Sequence, residues 1–232
     1  MKTKMLLGIA ALGLIGGAVS ANAAELKTDK QKFSYSAGYQ FGQNLKHQDM
    51  DLDQEAFLQA IRDAMAGNKP QLTEAEMQKT FEDFQKAQQQ AQQAIADKNL
   101  QAGKAFREEN KKKEGVKTLP SGLQYKIIKA GTGKKPTDKD TVSVNYRGTL
   151  LNGKEFDSSY SRGQPAEFPV HGIIKGWQEA LLLMPVGSKW QLVIPAELAY
   201  GSHGAGRDIG PNETLVFEVE LLEIKAAQGG KP

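Results

Sequence analysis

Apolar residues recur at helical spacing in the early part of the chain and predict two short amphipathic helices. The stripe of the first helix repeats every four residues, at Phe33, Ala37, Phe41 and Leu45. The second helix is expected to begin after the N-cap residue Asp53 and to end at Gly67, a residue type that favours helix C-termini. Its inner face is predicted to carry Phe57, Ala60, Ile61, Ala64 and Met65.

A third and much longer helix is predicted from Glu74 to about Glu114. Thr73 and Glu76 stand at the spacing of a capping box, and strong helix formers follow for about 41 residues, or about 60 Å of helix. The large apolar residues stand near its start, at Met77, Phe81 and Phe84. Beyond them the stripe consists of alanines among glutamines, which bury little area. We therefore expect the start of this helix to pack with the first two helices and the remainder to cross solvent as a stalk.

The predicted helical part is small for a domain that folds alone, because two short helices and part of a third bury little apolar surface. Its aromatic residues would leave faces that a second copy of the chain could cover: Phe33, Phe41, Phe57 and Phe81. No heptad of leucine or isoleucine is sustained along the long helix, which disfavours a long coiled coil. We therefore expect homodimerisation through residues 24–85.

Period-two alternation replaces the helical spacing after residue 115 and predicts strands. The expected strands are 122–129, 141–150, 189–194 and 214–224. Asn152 and Gly153 predict a hairpin turn that leads into a short strand at 154–157. One short helix is expected among these strands, at 174–183. The predicted architecture of this half is therefore an antiparallel sheet wrapped around a short helix, within a chain of the α+β class.

Glycine and proline usage changes at the same point of the chain. Residues 24–115 contain 5 glycines and 1 proline, whereas residues 116–232 contain 15 glycines and 8 prolines. This change favours a helical part followed by a turn-rich β domain. The predicted organisation is a helical dimerisation region at 24–72, a long connecting helix at 73–115, a β domain at 116–226 and a tail at 227–232.

The first 23 residues have the pattern of a secretory signal peptide. Lys2 and Lys4 precede an apolar stretch from Met5 to Val19, and Ala21-Asn22-Ala23 has the small residues that favour cleavage. The apolar stretch is short of the roughly 20 residues that span a bilayer. Export is therefore expected, with the periplasm as the predicted location and outer-membrane or surface association left open.

Charge and cysteine content exclude several classes of protein. The chain has 30 basic and 27 acidic residues, a net charge of +3 that falls to +1 once the two lysines of the leader are removed. So small a charge does not favour a nucleic-acid partner. The absence of cysteine excludes disulfides, a thiol nucleophile and cysteine-ligated metal sites. It also suits an oxidising compartment.

No motif for a nucleophile, a metal or a phosphate site is present. The three histidines, His47, His171 and His203, have no ligand partner at helical spacing. Neither a nucleophile elbow nor a complete phosphate-binding loop occurs. We therefore expect neither a metal nor a cofactor.

A group of aromatic, aliphatic and charged residues in the second half remains as the candidate site. Its members are Tyr146, Phe156, Asp157, Arg162, Ile174, Trp177, Tyr200 and Phe217. Aromatic residues at strand positions form a core more often than a site, so composition and spacing leave both interpretations open.

At these residues the chain resembles the FKBP family of peptidyl-prolyl isomerases, over about residues 116–226. The resemblance rests on six segments in order: VNYRGTL at 144–150, GKEFDSS at 153–159, IIKGW at 173–177, MPVG at 184–187, IPAELAYG at 194–201 and PNETLVFEVELL at 211–222. The layout of leader, helical region, long helix and FKBP domain resembles the Mip/FkpA group of this family, named after macrophage infectivity potentiator. That resemblance implies an FKBP fold and a dimer formed through the N-terminal helices.

The resemblance also implies roles for individual residues. Trp177 would form the floor of a proline pocket. Its walls would be Tyr146, Phe156, Phe168, Ile173, Ile174 and Phe217, with Ile209 closing the loop side. Tyr200 and the backbone N–H of Ile174 would donate hydrogen bonds to a substrate carbonyl. Asp157 would lie beside the rotating amide, held by Tyr146 and Arg162. Two positions depart from the commoner pattern: Ala166, where an aromatic residue is frequent, and Ala205, where a histidine occurs.

The implied function is an exported peptidyl-prolyl cis-trans isomerase that assists protein folding. Its partners would be proline-containing unfolded or partly folded proteins, and macrolides such as tacrolimus and rapamycin would bind its pocket. A holding chaperone or peptide-binding module, in which isomerisation is incidental, stays open as the alternative. Rotation about an amide breaks no covalent bond, which is consistent with the absence of a nucleophile motif.

Overall fold

The structure is a computed structural model that describes residues 25–47, 50 and 52–225. The predicted signal peptide at 1–23 and the predicted tail at 227–232 lie outside the described residues. The chain divides between Gln71 and Leu72 into two compact units. Within the described residues, no helix has the length and apolar character that a membrane span requires.

The first unit contains helices α1 (Asp29–His47) and α2 (Gln54–Ala66). The Asp53 side chain accepts a hydrogen bond from the Ala56 N–H at 2.8 Å, and Gly67 ends α2 in the left-handed conformation, at φ 71°. Both predicted limits of α2 are thus confirmed. Neither helix buries any residue in the single chain, although Phe41 and Phe57 stack with ring centroids 5.8 Å apart.

Helix α3 (Glu74–Asn110) begins at the predicted capping box, in which Thr73 and Glu76 each satisfy the other's backbone N–H. It ends four residues before the predicted end at Glu114, and residues 111–115 form turns. Phe81 and Phe84 near its start are 69% and 44% exposed. Packing of this start against the first two helices stays a prediction.

The prediction that the rest of α3 crosses solvent is wrong for its C-terminal half. Ala96, Gly103 and Asn110 are buried there. Asn110 donates to the Gln124 side chain at 2.9 Å, and Gln124 in turn donates to the Arg107 carbonyl at 2.9 Å. This face contacts the β domain through small and amide side chains, which permit close approach where large apolar residues would not.

The second unit is built on one antiparallel sheet in the order β1-β2-β6-β7-β3-β4, with β5 also paired to β3. Its strands are β1 (Val116–Thr118), β2 (Gln124–Lys129), β3 (Thr141–Thr149), β4 (Glu155–Ser158), β5 (Ala166–Pro169), β6 (Lys189–Ile194) and β7 (Leu215–Lys225). The predicted strands are all present and every pairing is antiparallel. The pattern did not predict β1 and β5, which are only three and four residues long.

The short helix α4 (Lys175–Leu181) packs against the sheet and closes the core. Close approach requires glycine at position 176, because a Cβ there would lie 2.4 Å from a methyl carbon of Ile194 on β6. The fully buried core between helix and sheet includes Leu181, Met184, Leu192 and Leu215. An antiparallel sheet wrapped on one short helix is therefore confirmed for this unit.

Candidate active site

A cavity of about 320 Å³ opens between α4 and the sheet of the second unit. It is lined by Tyr146, Phe156, Asp157, Phe168, Gly172, Ile173, Ile174, Trp177, Tyr200 and Phe217. All of them except Gly172 are candidate residues from the sequence. Gly172 ends a one-turn helix directly before Ile173, and no sequence pattern singled it out.

Trp177 lies at the centre of the lining and is only 4% exposed. Three rings meet it edge to face, with centroid distances of 5.2 Å to Tyr146, 5.8 Å to Phe168 and 5.3 Å to Phe217. Edge-to-face packing is a favoured geometry for aromatic pairs, and it restrains all four rings. The indole Nε1 of Trp177 is buried and has no hydrogen-bond partner within the described residues.

Gly148 on β3 lets two further rings approach each other at the wall. It pairs with Phe217 of β7 on one side and with Asp157 of β4 on the other. A Cβ at Gly148 would lie 2.6 Å from Phe217 and 2.7 Å from Phe156. The missing side chain therefore makes room for the T-shaped pair of Phe156 and Phe217, whose centroids are 5.5 Å apart.

One side of the cavity is a hydrogen-bonded group of three polar side chains. The Tyr146 hydroxyl and the Arg162 guanidinium each donate to the Asp157 carboxylate. Arg162 also donates to the Tyr146 hydroxyl oxygen at 2.6 Å. Residue Arg162 does not line the cavity itself but holds the two residues that do.

These contacts decide the charge of the group. Burial raises the pKa of the Asp157 carboxyl, but the hydrogen bonds from Tyr146 and Arg162 and the guanidinium charge outweigh it, so the pKa lies below its usual value. Burial and the neighbouring carboxylate raise the pKa of Tyr146 against the opposing effect of Arg162. At neutral pH, Asp157 is therefore an ionised acceptor that is already occupied by two donors.

Two other donors at the cavity are unoccupied. The Tyr200 hydroxyl makes no hydrogen bond to any described residue, and burial followed by the charge of Asp157 raises its pKa, which keeps it protonated. The backbone N–H of Ile174, the residue before α4, likewise has no partner within the described part of the chain. An apolar cavity with two unpaired donors can hold an apolar group beside a carbonyl.

Ile209 is not among the residues that line the cavity, and its role in closing the loop side stays a prediction. Its side chain is 9% exposed and belongs to the buried core, while its backbone forms a bridge with Ala205. Ala166 is partly buried, lies two residues before Phe168 on β5 and pairs with Val144, and it is not among the residues that line the cavity. Sequence comparison with a family pattern assigns a position to such residues but not the direction of the side chain.

The described residues contain no cluster of three or more histidines and carboxylates that could hold a metal ion. The cavity also lacks a serine or histidine among its lining residues. Its chemistry is therefore that of an apolar cradle with directed hydrogen-bond donors, which suits a change of conformation in a bound group.

Two family models match the chain. The model described as "Domain amino terminal to FKBP-type peptidyl-prolyl isomerase" matches residues 30–127. The model described as "FKBP-type peptidyl-prolyl cis-trans isomerase" matches residues 132–222 and so contains every residue of the cavity.

Similar proteins extend over nearly the whole chain. Peptidyl-prolyl cis-trans isomerase Mip of Coxiella burnetii is 45% identical over 226 residues, which cover 96% of this chain and 98% of that protein. Outer membrane protein MIP of Legionella longbeachae is 45% identical over 232 residues, covering 98% of this chain and 100% of that protein. The crystal structure of FkpA from Escherichia coli is similar with a TM-score of 0.64 and 41% identity, covering 88% of this chain and 100% of that one.

Proposed function

Because the chain belongs to the FKBP-type peptidyl-prolyl cis-trans isomerases, we propose that the cavity above Trp177 is where it rotates X-Pro bonds of its substrates. The observation that carries this proposal is the pairing of an aromatic cradle with two donors, the Tyr200 hydroxyl and the Ile174 N–H, that have no partner among the described residues. The proline ring would rest on the Trp177 indole, and the two donors would hold substrate carbonyls.

The physical argument starts from the barrier to rotation, about 18–20 kcal/mol, which amide resonance creates. At the perpendicular transition state the resonance is lost and the amide is less polar than in the ground state. An apolar cradle therefore favours the transition state relative to water, while fixed donors hold the twisted chain. Such catalysis requires no covalent intermediate.

Asp157 acts in this proposal through its charge and its position, not as a base. Two strong donors already occupy its carboxylate, and its pKa lies below the usual value, so it stays ionised at neutral pH. The group of Tyr146, Asp157 and Arg162 would fix the polar end of the cavity. The aromatic rings fix the apolar end.

Proline-peptide isomerisation measured with Tyr200→Phe tests the site. Loss of one hydrogen bond should lower kcat/KM by about three- to tenfold. Tyr160→Phe is the matched control, because Tyr160 is 50% exposed and does not line the cavity. Asp157→Leu should lower the rate further, since it also leaves Arg162 and Tyr146 without their acceptor. Unchanged rates in both variants would contradict the site assignment.

We further propose that the chain is a homodimer through its N-terminal helices. The first unit supports this proposal because α1 and α2 bury no residue in the single chain, and Phe33, Phe41 and Met65 are 75%, 50% and 85% exposed. A groove of about 720 Å³ also opens between these helices, lined mostly by apolar residues. Exposure on this scale marks a surface that another molecule covers.

Sedimentation of the full-length mature chain at micromolar concentration tests the dimer. Phe41→Gln, within the groove, is expected to shift the protein toward monomer. Ile128→Gln is the control, because Ile128 is 51% exposed on β2 of the other unit and its loss should leave the mass unchanged. A monomeric wild-type protein at this concentration would refute the proposal.

Export and assistance to protein folding complete the proposed function. The site and the family support a role on proline-containing unfolded chains, with macrolides as ligands of the same cavity, and the leader pattern of residues 1–23 supports export to the periplasm. N-terminal sequencing of the mature protein tests the leader, with Ala24 expected as the first residue. Displacement of a proline peptide by tacrolimus tests the macrolide site, and failure of tacrolimus to compete would contradict it.

A holding chaperone is the second candidate function. It would bind client chains through those exposed apolar residues of the first unit that a second copy leaves uncovered. Suppression of aggregation of a denatured protein, measured by light scattering, separates the two functions. Tyr200→Phe should keep this suppression while losing isomerisation. If the suppression falls in parallel with the rate, holding is a consequence of the proline site.

A further inference from the structure

The C-terminal half of α3 presents one buried face to the isomerase domain. Ala96, Gly103 and Asn110 lie seven residues apart, which places them on the same side of the helix. Asn99 is partly buried and lies on the same side, one turn after Ala96. This face carries no large apolar residue at these four positions, so its contacts are close and directional.

The face contacts the segment that follows Tyr200 in the chain. The Asn99 side-chain amide donates to the Pro211 carbonyl at 2.9 Å, and the Asn212 amide donates to the Ala96 carbonyl at 3.4 Å. A Cβ at Gly103 would lie 2.3 Å from the Thr214 hydroxyl oxygen. The helix therefore packs closely against residues 211–214, and two side-chain amide hydrogen bonds join them.

The same segment is closed on the residue next to Tyr200. The Asn212 N–H donates to the Gly201 carbonyl at 2.8 Å, which joins the two ends of the loop 201–212. Asn212 has a φ of +55°, and it is the only residue other than glycine with positive φ within the described parts of the chain. Asparagine adopts this conformation more readily than most residues other than glycine, and here contacts with Gly201 and Ala96 accompany it.

We propose that Asn99 and Asn212 are positioning residues for the isomerase site, which hold the loop 201–212 on α3 and thereby hold the Tyr200 hydroxyl over the cavity. The path is short: Asn99 binds Pro211, Asn212 binds Ala96 and Gly201, and Gly201 follows Tyr200 directly. The Tyr200 hydroxyl has no hydrogen-bond partner among the described residues, so the backbone that leads into the loop decides where this donor lies.

This inference rests on the proposed role of Tyr200 and extends it to the long helix. The helix supplies no atom to the cavity lining. The helix contributes to catalysis by fixing the position of the Tyr200 hydroxyl, because it holds the far end of the loop 201–212. Misplacing a positioned group by a fraction of an ångström lowers the rate without removing the group.

Steady-state isomerisation by the full-length mature chain tests the proposal with two variants. Asn99→Ala removes the donor to Pro211. Asn212→Gly removes the amide that binds Ala96 while glycine accepts the positive φ, so folding is retained. Each is expected to lower kcat/KM by about three- to tenfold. Gln101→Ala is the matched control, because Gln101 is exposed on the same helix and should leave the rate unchanged.

A double-mutant cycle with Tyr200→Phe separates positioning from general stability. If Asn99 acts through the hydroxyl of Tyr200, adding Asn99→Ala to Tyr200→Phe should cost less than twofold. In amide-detected NMR of Asn99→Ala, the signals of Tyr200 and Gly201 should shift, while those of β1 should not.

Three outcomes would overturn the inference. If Asn99→Ala and Asn212→Gly each equal the wild type in kcat/KM while Tyr200→Phe is impaired, the site stands and only the role of α3 fails. An equal loss of kcat/KM on Asn99→Ala in the wild type and in Tyr200→Phe would also refute the inference. Full activity of Tyr200→Phe would refute the inference together with the assigned role of Tyr200.

Discussion

Substitution of Gly148 by alanine tests whether the two wall rings must meet over a glycine. The new Cβ would lie 2.6 Å from Phe217 and 2.7 Å from Phe156, where ordinary contacts begin at 3.4 Å. One or both rings must therefore retreat by about 0.8 Å. The substitution adds one methyl group and changes neither charge nor hydrogen bonding.

The structure indicates which ring moves. Phe217 is 4% exposed and packs edge to face on Trp177 at 5.3 Å, so it has no space to retreat. Phe156 is only partly buried and can swing outward from the cavity. We expect a cost of about 1–3 kcal/mol in the free energy of unfolding, the usual range for overpacking. We also expect kcat/KM to fall by about tenfold or more, since displacement by about 1 Å near the reacting group can cost about 100-fold.

Urea unfolding followed by tryptophan fluorescence measures the stability of this domain alone, because Trp177 and Trp190 are the only tryptophans and both lie within it. The double variant Gly148→Ala/Phe156→Leu provides the control. With the Phe156 ring shortened, the methyl group should cost about 1 kcal/mol less than in the wild-type background. Wild-type stability and activity in Gly148→Ala would refute the reasoning, and so would an equal cost in both backgrounds.

Three further predictions concern the same chain. Gly103→Ala should lower the urea midpoint, because the new methyl group would lie 2.3 Å from the Thr214 hydroxyl oxygen. This loss is expected although alanine favours helix by about 1 kcal/mol over glycine. Thr214→Ala should recover part of the loss, and a higher midpoint in Gly103→Ala would contradict the close packing of Gly103 on Thr214. The folded-state pKa of Asp157 is lowered, so its ionised form contributes stability above its unfolded pKa of about 3.9, and this contribution is lost as the pH falls through the folded pKa. Activity should therefore stay level from about pH 8 to pH 5, and in Arg162→Ala the acid loss should begin at a higher pH; identical pH profiles would contradict the assignment. Thr73→Ala should cost about 1 kcal/mol of protection in the first turn of α3, measured by amide hydrogen exchange, and unchanged exchange would show that the capping box does not hold this helix end.

Local chemistry was sufficient for the limits of several elements. Asp53 and Gly67 mark the two ends of α2, because a capping side chain and a left-handed glycine act only on the nearest turn of the helix. The same holds for the start of α3 at Thr73. Strands β3, β6 and β7 were predicted because long runs of alternating residues carry their own signal.

The short strands could not be predicted in this way. β1 and β5 have three and four residues, too few for a period-two pattern to stand out. They are strands because β2 and β3 offer them backbone partners. Helix α3 ends before the predicted Glu114 for a related reason. Helix-forming residues continue past Asn110, but the hydrogen bond from Asn110 to Gln124 ties that end of the helix to the sheet.

The buried face in the C-terminal half of α3 leaves no apolar pattern in the sequence. Ala96, Asn99 and Gly103 are small or polar, so they added nothing to an apolar stripe and indicated a solvated stalk. They are buried because residues 211–214 pack against them, and this segment lies more than a hundred residues away in the chain. The seven-residue spacing of Ala96, Gly103 and Asn110 was the one sequence signal of this buried face. It indicates burial only when small residues are treated as possible packing positions.

By itself, the sequence determined the types of the major helices and strands, the position of the caps and, through its resemblance to a family, every residue of the cavity lining except Gly172. The resemblance also implied that Tyr146 and Arg162 hold Asp157 and that Tyr200 and Ile174 are donors. Tertiary structure alone decided that Arg162 also donates to the Tyr146 hydroxyl, that neither donor has a partner among the described residues, and that Ile209 is not part of the cavity lining. The physical reason is range. Capping and alternation act between neighbours in the chain, whereas the direction and the partners of a side chain depend on strands and loops that only folding brings together.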